Sequence, residues 1–110
     1  MWIFTSTSFL SVVADRNSKS KLLVRARVKG HIEAIFPKAE VFTNEHADYC
    51  FRAVIPRKMV AKVIANTIGG IEYENYKGSV TNPDLHNSYL AVWGIMRNLQ
   101  NDLLSEAEHD

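Results

Sequence analysis

The sequence predicts an α+β fold: a two-layer sandwich with helices on one face of an antiparallel sheet of about five strands, ordered β-β-β-α-β-β-α-α and ferredoxin-like in general type. Three observations lead there. Between residues 2 and 28, short runs rich in β-branched and aromatic residues alternate with polar turn segments. Two later stretches carry apolar residues at spacings of three and four. No internal repeat and no long Pro/Gly/Ser linker divides the chain, so residues 1–104 are expected to form one domain, with an acidic, frayed tail over 105–110.

Trp2–Thr5 and Phe9–Ala14 read as the first two strands, with Ser6–Ser8 as their turn. The polar segment DRNSKSK precedes the third, Leu22–Val28, whose period of two puts Leu23, Arg25 and Arg27 on one side and Val24, Ala26 and Val28 on the helix-facing side. Three strands joined this way make a meander. Lys29-Gly30 ends it, and Ile32, Ile35 and Phe36 at helical spacing before Pro37 predict a helix of about two turns. Ala39–Thr43 and Asp48–Ile55 follow as strands around the linker NEHA. In the second of these, Tyr49, Phe51, Ala53 and Ile55 are expected on the core face and Cys50, Arg52 and Val54 on the other.

Pro56 suits the first turn of a helix, having no amide hydrogen to lose there. Met59, Val60, Val63, Ile64, Thr67 and Ile68 form that helix's apolar face, and Gly69-Gly70 is expected to stop it in a left-handed turn. Ile71–Val80 is expected to be irregular or briefly extended. TNPD then offers a cap with Pro83 just inside. Leu85, Tyr89, Val92, Trp93, Met96, Leu99 and Leu103 make a stripe about five turns long, with Trp93 and Met96 expected in the core.

Composition sets the class. The chain has 110 residues, 46% hydrophobic and 23% charged, close to the average soluble domain. Its one cysteine, Cys50, excludes an intramolecular disulfide and points to a reducing compartment, the cytoplasm. Residues 1–16 are apolar but lack a basic start and are interrupted by Ser and Thr, unlike a signal peptide. No stretch approaches the roughly 18 apolar residues of a membrane span, so no membrane partner is expected. Of 12 acidic side chains, Asp102, Glu106, Glu108 and Asp110 lie in the last ten residues, which hold no base. The remaining 100 residues carry all 13 basic side chains, a mildly basic body compatible with an acidic partner or nucleic acid.

The stretches MWIFT...FLSVVADR, LLVRARVKGHIEAIFP, ADYCFRAVIPR, IEYENYKGSV and YLAVWGIMRNLQ, in that order, resemble a family of small bacterial proteins of uncharacterised function that begin MW-aromatic-FT. The resemblance spans residues 1–100 and implies a single complete domain of bacterial or mobile-element origin. It implies no activity.

Motifs for chemistry are sparse. His31, His46, His86 and His109 are scattered, with no His-x-x-x-His or Cys-x-x-Cys pattern, and no metal or other cofactor is expected. EHAD and DLH set carboxylates beside histidines, an ordinary composition for hydrophilic loops. Glycine-rich phosphate loops and the Gly-x-Ser-x-Gly elbow are absent. Cys50 lies in a predicted strand and reads as structural. Asp15 ends the second strand where a metal-dependent nuclease would place an aspartate, although turns favour Asp for simpler reasons.

The basic and aromatic set is more informative: Arg25, Arg27, Arg52, Arg57 and Lys77, with Tyr73 and Tyr76. Arginines on an open sheet can clamp phosphates while aromatics stack bases. Arginine and tyrosine are equally the residues favoured at protein interfaces. The plainest reading is a solvated sheet face whose arginines pair with Glu40 or Glu45. The sequence thus points to a non-enzymatic binding or inhibitory module, with a protein as the favoured partner and a phage-type inhibitor of a host defence complex as its narrower form. Nucleic-acid binding and a small metal-dependent nuclease are the alternatives. A homodimer through the sheet or an edge strand needs no further motif. Strand order decides the issue: the three strand arginines converge only if the strand of Arg52 lies beside that of Arg25.

Overall fold

Period-two alternation becomes a meander: β1 (Trp2–Phe4), β2 (Phe9–Ala14) and β3 (Lys21–Ala26) pair antiparallel in succession. The computed structural model describes the backbone of residues 1–109 and the side chains of residues 1–107. A second hairpin, β4 (Phe42–Thr43) and β5 (Phe51–Pro56), joins through β5 to give a five-stranded sheet in the order β1-β2-β3-β5-β4. This is an α+β two-layer sandwich with a wholly antiparallel sheet. Its meander and appended hairpin differ from the split β-α-β units of a ferredoxin-like order, so the class stands at the two-layer level.

Contacts divide the chain into two compact units, Met1–Glu74 and Asn75–Asp110. In the first, helices α1 (His31–Ile35) and α2 (Arg57–Gly69) pack on one face of the sheet, against β2, β3 and β5. Leu10, Val12, Val24, Ala26, Ala53 and Ile55 from the strands meet Ile32, Phe36 and Val60 there, with Ile3, Leu22, Val63 and Ile64 around them. Each strand residue in that list is one that alternation directs to the helices.

Local chemistry sets the turns. Thr5 and Ser8 close the β1–β2 connection, Thr5 Oγ1 accepting from the Ser8 amide at 3.0 Å, and this lets both polar side chains be buried. Gly30 sits at φ 92° ahead of α1, a left-handed conformation strained for any residue with a Cβ. His31 Nδ1 accepts the Phe9 amide at 3.1 Å, tying α1 to β2. Burial, the main cause, pushes the His31 imidazole below its usual pKa, and the bond requires an unprotonated Nδ1.

Several boundaries differ from the sequence-based expectations. β3 stops at Ala26, so Val28 is exposed instead of facing the helices. β4 has two residues and β5 begins at Phe51: the Asn44 amide donates to the Cys50 carbonyl at 2.9 Å as the closing bond of the hairpin, and residues 45–49 form its turn. Pro56 closes β5 and caps α2 instead of lying inside it. Gly70 ends α2 at φ −91° with its amide on the Asn66 carbonyl, so the expected left-handed stop is absent.

The second unit holds α3 (Tyr76–Ser79) and α4 (Pro83–His109). α3 takes up four residues of the stretch expected to be irregular, 71–75 remaining without helix or strand, and the Asn75 side chain caps it by accepting from the Gly78 amide. Asn82 caps α4 by accepting the Leu85 amide at 3.1 Å, with Pro83 just inside as TNPD suggests. α4 runs 27 residues, into the stretch expected to fray. The side chains of Glu108 and His109 and all of Asp110 lie outside the described residues. Trp93 and Met96, expected in the core, are exposed.

Candidate functional site

The register aligns one residue from every strand in a single row. Trp2 pairs with Ser11, Ser11 with Arg25, Arg25 with Arg52, and Arg52 with Phe42. Neighbouring Leu10, Val24 and Ala53 belong to the helix-facing core, so period two puts the row on the opposite face. Two arginines stand at its centre, with exposed aromatics at its ends, Trp2 at 67% and Phe42 at 49%.

The central arginines are positioned by specific partners. Arg25 donates from Nη2 to Ser11 Oγ at 2.7 Å, while its buried Nε has no hydrogen-bond partner. The guanidiniums of Arg25 and Arg27 lie 4.4 and 4.0 Å from the centroid of the Tyr49 ring. Arg27 also pairs with Asp48 at 3.1 Å, which holds the Asp48 carboxyl below its usual range and raises the guanidinium. Arg52 reaches back to the Tyr49 carbonyl at 3.5 Å.

Tyr49 therefore corrects the sequence reading. It is buried, at 4% exposure, but beneath two arginines and not beside Phe51 in the helix-facing core. Alternation fails because Tyr49 precedes the first residue of β5. The acidic partner of Arg27 is Asp48 and not Glu40 or Glu45, since the 44–50 turn carries Asp48 to the strand end.

Aromatic residues extend the face toward the β1 edge. Phe9 packs against Phe4 at 4.7 Å and edge-on to Trp2 at 6.1 Å. Period-two counting within each strand would have placed Trp2, Phe4 and Phe9 on one side, but their proximity to the arginines depends on strand order. At the far edge, β4 covers only Phe51 and Arg52 of β5. Beyond its end, a groove of about 560 Å³ runs along Val54–Pro56, lined also by Phe36, Met59 and Val63.

The other candidates lie elsewhere. Arg57 begins α2 at the opposite end of the β3–β5 pair, where Lys21 faces Pro56, and its Nε donates to the Lys19 carbonyl at 3.2 Å. Tyr73 lines a groove with β1 and α2. Tyr76 and Lys77 belong to the second unit, Tyr76 stacked on Tyr89 and Lys77 Nζ 3.9 Å over Trp93.

No family model, curated protein or solved structure matches this chain. Asp15 stands just past β2, and among the described residues no three His, Cys, Asp or Glu side chains gather as a metal site. Cys50 is half-buried in the turn before β5. No helix is long and apolar enough to cross a membrane among the described residues.

Proposed function

We propose that the Trp2–Ser11–Arg25–Arg52–Phe42 face is the docking surface of a non-enzymatic binding module, and that its partner is a protein presenting carboxylates around an apolar patch. The observation carrying this reading is the β3–β5 register, which sets Arg25 directly opposite Arg52 and brings Arg27 onto the same tyrosine.

Two features favour protein over nucleic acid. Trp2, Phe4 and Phe9 pack ring against ring, an anchor cluster unlike a row of open stacking platforms. The short β4 also leaves part of the β5 edge beside an apolar groove, a surface suited to an added peptide strand. Inhibition of a host defence complex is the narrower form of this proposal.

The test is capture from a bacterial host with wild-type chain, an Arg25→Ala/Arg27→Ala variant and a Lys77→Ala control. A partner held by the wild type and the control should weaken by about 30-fold or more with the double variant, as expected when interface hot spots are removed. Equal capture by all three sinks the sheet-face reading. Retention on an oligonucleotide column at physiological salt, lost with the same double variant, would replace protein with nucleic acid.

A further inference from the structure

We infer that α4 pairs with α4 of a second copy of this chain, antiparallel over Val92–Leu103, to form a symmetric dimer. Leu85, Tyr89, Val92, Met96, Leu99 and Leu103 follow one another at spacings of four and three, the seam along which two helices interlock. Within the second unit the seam has two parts. Near its start α3 lies alongside, Tyr76 stacking on Tyr89 and Lys77 covering Trp93. Farther on, Val92, Met96, Leu99 and Leu103 are all exposed, Met96 at 55% and Leu103 at 56%, with Ile95 and Leu104 exposed beside them.

Exposed apolar surface of this extent requires a cover. Helices in water owe most of their stability to packing of the apolar face, and this face is open for its last three turns. The exposed seam side chains Val92, Met96, Leu99 and Leu103 offer roughly 400 Å² per helix, about 800 Å² for two copies, and flanking Ile95 and Leu104 bring the total toward the roughly 1,200 Å² at which standard stable interfaces begin. A seam of this period is complementary to itself, as a two-fold interface requires.

Charge selects the antiparallel direction. A parallel pair would set Glu106 beside Glu106 where the seam continues, and would bring two negative helix C-termini together. An antiparallel pair lays each acidic end along the half of its partner that carries Lys77 and Arg97. Val92 then meets Leu103 of the second copy, and Met96 meets Leu99.

Sedimentation of the full chain at micromolar concentration should give a dimer. Met96→Glu/Leu99→Glu should weaken it by at least about 100-fold, because both carboxylates would be buried in an apolar seam. Both positions are exposed in the single chain, so helix content, and Trp2 fluorescence in a Trp93→Phe background, should show an intact fold in this variant; Leu103→Lys is the second variant if they do not. In a Cys50→Ser background, Val92→Cys chains mixed with Leu103→Cys chains should oxidise to a linked pair, while Leu103→Cys alone should remain unlinked. A monomeric wild type, or a dimer indifferent to the seam substitutions, overturns the pairing. Self-linking by Leu103→Cys overturns the antiparallel direction.

Discussion

The two units treat the same kind of amphipathic pattern in opposite ways. In Met1–Glu74, the apolar side of each central strand is closed by α1 and α2, and Leu10, Val24, Ala26, Ile32 and Ala53 are fully buried. In Asn75–Asp110, Val80 and Tyr89 are buried while the later α4 seam stays open. Periodicity says that a face wants covering; it does not say whether the cover lies in the same chain. The first unit has enough elements to cover itself, and a pair of helices does not.

The sharpest break of this contrast is a matched truncation. Leu10→Ala leaves a cavity among residues that cannot close around it and should cost about 2–5 kcal/mol. Leu99→Ala should leave the same transition within about 0.5 kcal/mol at concentrations low enough to keep the chain monomeric, since its side chain lies outside that core. Urea unfolding followed through Trp2 in a Trp93→Phe background measures both, and a comparable loss from Leu99→Ala would show that the units do not differ as described.

A smaller effect concerns the joint between α1 and the sheet. The His31 pKa is lower in the folded chain than its ordinary 6.5, so the unfolded state binds the proton more readily. The stability from the unprotonated imidazole is therefore present above about 6.5 and is lost as pH falls through the lower folded value. His31→Asn offers the Phe9 amide an acceptor that does not titrate, and should flatten stability against pH in that window. An unchanged slope would remove His31 as its source.

The smallest expected effect is a gain. Asp48 occupies Arg27, so Asp48→Asn should free the guanidinium for a partner's carboxylate and tighten binding by about 2–3-fold, mainly through association rate. Calorimetry with a captured partner would check it, and a weaker complex would make Asp48 part of the contact instead.

The legible parts of the fold are those with a period. β2, β3, α2 and α4 each repeat long enough for one face to declare itself, and Asn82-Pro83 marks a helix start by its own chemistry. α3 is four residues long, too short for any period, and forms through the Asn75 cap. Arg25 and Arg27 were readable as the solvent side of a strand. Their meeting with Arg52, Trp2 and Phe42 was not, because strand order rests on pairings across the whole sheet. Tyr49 was misplaced for a local reason, a turn that resets the alternation just before β5.

Tyr49 also gives the molecule a built-in signal. Its ring is shielded by the two cations that a carboxylate-bearing partner would draw away. On the proposed docking face, a partner that draws the two guanidiniums away would change the charge over this ring and with it the near-ultraviolet absorption of Tyr49, one of four tyrosines in the chain. The difference between the spectra of the wild type and a Tyr49→Phe variant would then report whether the proposed face is occupied.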